Sequence, residues 1–246
     1  MELKRLTERV FLSQGARQSS GPLYELFLSC KRGDVHKWHH YFDIYERHLS
    51  RFRGTDFRFL EIGVYRGGSL RMWREYFGPK ALIVGLDRDP SCQRFNGEHG
   101  HVRIGDQADP AFLRSVLDEF GPFDAVLDDG GHTASQQIVS LETLYPEVKS
   151  DGVYLCEDTH TSYWKNFQDA PEHGSFTKLA LTAANSLTRN LHADPKSFRR
   201  YAKQPGQREG NIAVPLLSGV THSVSFYDSI VVFEKRPKFE PWHEIR

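Results

Sequence analysis

Phe57-Arg-Phe-Leu-Glu-Ile62 followed by Gly63-Val-Tyr-Arg-Gly-Gly-Ser69 decides the fold. An apolar run this short, closed by a glycine cluster, reads as a buried strand. Glycine lets the backbone turn sharply and approach a ligand closely. Leu70 to Tyr76 then opens a helix. The spacing is GxxxGG with an acid two residues ahead, so the GxGxxG that cradles a pyrophosphate is absent.

The same alternation continues downstream. Ala81–Leu86 reads as a second strand ending at Asp87, and His101–Ile104 as a third, with a helix from Pro110 to Phe120. Phe123–Leu127 is a fourth, ending in Asp128-Asp129, with a helix running on to about Tyr145. Gly152–Cys156 is a fifth, ending in Glu157-Asp158. Strands alternating with helices imply parallel βαβ units and a doubly wound α/β sheet. His222–Tyr227 and Ile230–Phe233, joined at Asp228-Ser229, read as a terminal hairpin that makes one strand antiparallel. The expected architecture is a seven-stranded Rossmann-like sheet of the methyltransferase kind rather than the dehydrogenase kind.

Residues 1–50 are polar and helix-prone, with Leu3, Leu6, Val10 and Phe11 on one helical stripe. They read as an N-terminal helical extension to a domain spanning 51–246. The stretch 161–221 has few strand signals and reads as a lid-like insertion with one helix near 175–192 and mobile loops over the site.

Composition bounds the function. Lys+Arg and Asp+Glu are both 32, giving net charge zero, which argues against a nucleic-acid partner. No run approaches the roughly 18 apolar residues of a membrane span, and the opening residues lack the apolar core of a secretory signal. Cys30, Cys92 and Cys156 show no CxxC spacing, so neither a disulfide framework nor a zinc site is expected, and a reducing cytoplasmic setting is the default.

In open α/β sheets, ligands lie at the carboxyl ends of the strands, and each end here carries a candidate. Glu61, with Gly63 and Ser69, suits a cationic cofactor: an acid repels phosphate but fits the sulfonium and ammonium of S-adenosylmethionine (SAM). Asp87 can accept ribose hydroxyls, a device shared with NAD enzymes. Asp106 or Gln107 could bond an adenine edge, or the loop could simply cap the next helix. Asp128-Asp129-Gly130-Gly131-His132 and Glu157-Asp158-Thr159-His160 place up to four carboxylates and two histidines at adjacent strand ends. Clustered carboxylates repel one another unless a cation sits among them, and hard oxygen ligands suit Mg²⁺. A salt-bridged polar patch is the bland alternative. Tyr163 and Trp164 offer flat faces to an acceptor, or core packing.

Glu-Ile-Gly-Val-x-x-Gly-Gly-Ser-Leu-x-Met-Trp, Gly-Leu-Asp, Gly-Asp-Gln, Asp-Asp-Gly-x-His, Glu-Asp-x-His-Thr-Ser-Tyr-Trp and Phe-Tyr-Asp-Ser-Ile-Val-Val together resemble the metal-dependent sugar O-methyltransferases of macrolide biosynthesis, the mycinamicin and tylosin type. The resemblance covers about residues 37–235. It implies Asp129, Glu157 and Asp158 as ligands of Mg²⁺ (or Mn²⁺), with His132 as general base. It implies Glu61, Gly63, Asp87 and Gln107 in the SAM site, where Ser69, Asp106 and Asp129 are also expected. His160, Tyr163 and Trp164 would sit by a sugar acceptor, and a homo-oligomer, dimer or tetramer, is expected. Two departures stand out. Gly131 replaces the usual Ser of the Asp-Asp-Gly-Ser-His turn, and the first strand already begins at Phe57, whereas some relatives carry a separate N-terminal domain. A methyltransferase of catechol-type phenols and a non-catalytic SAM-binding scaffold are the alternatives.

Overall fold

The computed structural model describes residues 12, 19–172 and 174–246; the stripe from Leu3 to Phe11 lies outside them. Two helices, α1 (Pro22–Ser29) and α2 (Tyr41–Leu49), precede β1 (Arg58–Ile62). Then follow α3 (Gly68–Phe77), β2 (Leu82–Asp87), β3 (His101–Ile104), α4 (Pro110–Phe120), β4 (Ala125–Asp128), α5 (Ala134–Leu144) and β5 (Val153–Cys156). The chain closes with α6 (Phe176–His192), α7 (Lys196–Tyr201), α8 (Leu216–Val220), β6 (Thr221–Phe226) and β7 (Val231–Lys235). The helix read from Pro110 to Phe120 keeps those limits, started by the Asp109 side chain, which accepts from Ala111 N, and by Pro110 in the first turn.

The strands form one seven-stranded sheet in the order β3-β2-β1-β4-β5-β7-β6. β1 to β5 are parallel, and β7 runs antiparallel to both β5 and β6. The terminal hairpin read from the sequence is therefore present, and it inserts its second strand next to β5. Strand alternation sends neighbours to opposite faces. Phe59 joins a cluster with α2 and α3, through Tyr41, Phe42, Tyr45 and Trp73. Leu60 joins a second with α4, α5 and α6, through Leu113, Ile138 and Phe176. The buried faces of α1 and α2 thus belong to the same core as the sheet. No helix of the described residues is long and apolar enough to cross a membrane.

The order of connection reverses at β1, which has β2 on one side and β4 on the other. Such a switch point opens a crevice at the carboxyl ends of the strands. Three hydrogen bonds carry the ladder just past the strands: Gly63 N donates to Leu86 O, Asp129 N to Ile62 O, and Glu157 N to Asp128 O. The polar residues that end β1, β4 and β5 are held side by side by this backbone pairing.

Candidate active site

Two clefts meet at the switch point, and they share Gly63, Tyr65, Asp129 and Gly130. The first, about 260 Å³, is lined by Ile62, Leu86, Asp87, Asp106, Gln107 and Gln136 among others. The second, about 330 Å³, is lined by Ser69, Asp129, His132, Glu157 and Asp158, and by residues 34–38. Among the described residues none from 161–221 lines either. That stretch supplies α6, whose Phe176, Ala180 and Ala183 are buried against the sheet.

Backbone crowding sets the turn between the two clefts. Gly63 has φ +102°, and a Cβ there would lie 2.0 Å from the Asp129 carbonyl oxygen. Glycine is required on both counts. Asp87 braces the same turn: its Oδ2 accepts from Val64 N at 3.0 Å and Tyr65 N at 2.9 Å, and its Oδ1 from Asp89 N at 2.9 Å. Asp87 also lines the smaller cleft.

Two of the expected cofactor residues are tied inward. Glu61 is fully buried; Ser69 Oγ and Trp73 Nε1 donate to its two oxygens at 2.8 and 2.9 Å. Burial raises its carboxyl to about 7, against the pull of Lys37 and these two donors. Gln107 donates to Asp128 Oδ1 at 3.0 Å and accepts from Gly131 N at 2.7 Å. It pins the glycine turn that aims Asp129 and His132. Asp106 accepts from Ala108 N at 2.8 Å and lines the smaller cleft.

The acids separate by direction. Asp128 is buried, accepting from Tyr154 Oη at 2.9 Å as well as from Gln107, and burial raises its carboxyl to about 7. Asp129 and Asp158 face the larger cleft with His132 between them. His132 Nε2 lies 3.4 Å from Asp158 Oδ2 and 3.8 Å from Asp129 Oδ1. One ligand atom from each of the three residues falls within 4.8 Å of the others, a spacing that can hold a metal ion. Tyr65, His132 and Asp158 all have left-handed backbone, φ 50°, 59° and 50°. Strain of this kind in non-glycine residues gathers at functional sites, and all three line the larger cleft.

Glu157 is engaged differently from the other two expected ligands. Lys37 Nζ donates to its Oε1 at 2.8 Å and also to Asp129 Oδ2, and Tyr45 Oη donates to the same Glu157 oxygen. Burial, reinforced by Asp129, pushes the Glu157 carboxyl well above its ordinary value. Burial alone would lower the Lys37 ammonium, but Asp129 and Glu157 outweigh it and hold the group charged. Tyr41 Oη donates to Asp158 Oδ1 at 2.6 Å.

The aromatic residues form a rim rather than core. Tyr163 is 80% exposed and Trp164 51%. Trp164 meets His160 edge-on with ring centres 4.9 Å apart, and His160 meets Trp38 edge-on at 6.2 Å. His160, Tyr163 and Trp164 lie outside the cleft lining, whereas Trp38 is part of it.

Sequence reasoning missed Lys37, Trp38, Tyr41 and Tyr45. Tyr41 and Tyr45 are four apart on one helix and so share a face, a signal that was available. Lys37 gave none, because its partners are 92 and 120 residues away.

Comparison with known proteins agrees with this fold. Residues 60–159 match the family model described as a methyltransferase domain. The chain is 36% identical over 205 residues to the 8-demethyl-8-(2-methoxy-alpha-L-rhamnosyl)-tetracenomycin-C 3'-O-methyltransferase of Streptomyces olivaceus, covering 80% of this chain and 50% of that protein. It is 36% identical over 237 residues to the mycinamicin VI 2''-O-methyltransferase of Micromonospora griseorubida, covering 90% and 55%. Among solved structures, the MycE methyltransferase of the mycinamycin biosynthetic pathway, in complex with Mg, SAH and mycinamycin VI, superposes with a TM-score of 0.71 at 27% identity, over 94% of this chain and 57% of that one. The chain therefore spans about half the length of the curated relatives it matches. With a seven-stranded sheet whose β7 is antiparallel, the chain carries a methyltransferase domain, and its homologues are the O-methyltransferases of macrolide and tetracenomycin sugars.

Proposed function

We propose that this chain is the catalytic unit of a SAM- and Mg²⁺-dependent O-methyltransferase that acts on a sugar hydroxyl of a glycosylated natural product. One observation carries the reading: Asp129, His132 and Asp158 converge at the mouth of one cleft, while the same Asp129 also lines the neighbouring cleft floored by Asp87 and Gly63. A methyl donor and an acceptor would thus meet across one residue.

The donor set fits a hard divalent ion. Carboxylate oxygens converge there, and the site already holds one cation, the Lys37 ammonium. Asp129, Glu157 and Asp158 would hold Mg²⁺, which would lend acidity to an acceptor hydroxyl that is otherwise about as weak an acid as water. His132 Nε2 takes the hydroxyl proton as the oxygen attacks the methyl carbon and the carbon–sulfur bond of SAM breaks, leaving S-adenosylhomocysteine; the base's role is worth about 10²–10⁴ in rate. Asp158, beside that nitrogen, stabilises the imidazolium that results. Asp87, Gly63 and Asp106 bind the cofactor, and Glu61, Ser69 and Gln107 support the turns that shape its site. Trp38, His160 and Trp164 present ring faces against which a sugar can lie. The proposal extends to a cytoplasmic homo-oligomer; the three cysteines are free, which suits a reducing compartment.

Labelled SAM and a panel of glycosides test the reading. Methyl transfer should vanish with EDTA and return with Mg²⁺ or Mn²⁺. An acceptor lacking the neighbouring hydroxyl should lose most of its kcat/KM, because a vicinal diol can chelate one ion through two oxygens. Transfer that is indifferent to EDTA would refute the metal-dependent mechanism.

A further inference from the structure

Lys37 is the one cation among the described residues that the structure pairs with both Asp129 and Glu157. Its side chain is only 2% exposed, and its ammonium lies 5.8 Å from the Tyr45 ring centre. The side chain enters from a short segment, residues 34–38, that joins α1 to α2 and walls the larger cleft. The next residue, Trp38, is 52% exposed and stands at the rim beside His160.

We infer that Lys37 is a tethered counter-cation that competes with the divalent metal for Asp129 and Glu157, so that metal loading releases it. The inference rests on the metal-dependent reading above. Its physical basis is charge. Without a metal, Asp129, Glu157 and Asp158 would repel one another in a partly desolvated cleft, and the ammonium relieves that repulsion. A divalent ion on the same oxygens makes the ammonium redundant and repels it at a few ångströms. The lysine stem is flexible enough to withdraw.

Manganese titration followed by electron paramagnetic resonance tests this without turnover. Lys37→Gln should bind Mn²⁺ roughly tenfold more tightly than the parent, within the usual range for coupled sites. Lys37→Arg, which keeps a competing cation, should stay near the parent. Amine-reactive labelling of the unaltered protein, read by mass spectrometry, gives a second measure: Lys37 should be protected without metal and labelled at saturating Mg²⁺. A folded Lys37→Gln protein with unchanged or weaker Mn²⁺ affinity overturns the inference, and so does a Lys37 that stays equally protected at saturating Mg²⁺. Should Lys37→Gln fail to fold, the labelling experiment decides. Absence of Mn²⁺ binding in both parent and variant would defeat the metal-dependent reading itself, a separate outcome.

Discussion

At the scale of single residues, direction matters as much as identity. Asp128 and Asp129 are adjacent, yet one is buried against Tyr154 and Gln107 while the other faces the cleft. Strand alternation makes that split, since consecutive side chains leave opposite faces. His132 is placed by a left-handed backbone and by Thr161 Oγ1, which donates to its carbonyl oxygen at 2.8 Å. Its Nδ1 is buried and has no hydrogen-bond partner in the structure. As the proposed base, His132 acts on chemistry rather than binding. His132→Ala should lower kcat by about 10²–10⁴ and leave SAM affinity by calorimetry within a few-fold. Its residual rate should climb with pH as hydroxide takes over. A variant with unaltered kcat would remove His132 from the mechanism.

At the scale of elements, the site depends on how helices start and strands end. α5 begins with a capping box: the Thr133 side chain accepts from Gln136 N, and Gln136 Oε1 accepts from Thr133 N at 3.2 Å. That box directly follows His132. A Cβ on Gly131 would sit 2.2 Å from Gln136 Oε1, so Gly131 is matched to a close-packed Gln136. Thr133→Ala removes one cap acceptor and should cost about 1 kcal/mol in urea unfolding. Because the frayed turn adjoins the base, kcat should fall while SAM affinity holds. Unchanged stability in Thr133→Ala would show that Gln136 and Ser135 alone suffice to start the helix.

At the scale of the whole molecule, burying acids under the site links stability to pH. Glu61 is fully buried, and its carboxyl is raised from 4.5 to about 7, chiefly by burial. A raised folded-state value means that the folded protein binds the proton more tightly than the unfolded chain. The stabilisation is therefore complete below about pH 4.5 and is lost as pH rises through about 7. Glu61→Gln imitates the neutral acid, since its amide can still meet Trp73 and Ser69. In metal-free urea unfolding between pH 5 and 8, Glu61→Gln should fall less steeply with rising pH than the parent. Parallel slopes would mean that Glu61 titrates normally in the folded protein.

Much of the scaffold was legible in the chain itself. Apolar runs ending in Glu61-Ile-Gly63, Asp87, Asp128-Asp129 and Glu157-Asp158 specified parallel strands with polar ends, and the 222–233 pattern specified the antiparallel hairpin. These are local signals, because strand periodicity and glycine turns depend on neighbours a few residues apart. Tertiary structure alone decided which acids share a cleft, that Glu61 and Gln107 bond inward, and that 34–38 rather than 161–221 forms the cleft wall. It alone brought Lys37 to Asp129 and Glu157. The physical reason is distance along the chain: an ion pair spanning 92 or 120 residues leaves no periodicity to read, and it forms only once the sheet has set β4 and β5 side by side and packed α2 across their face.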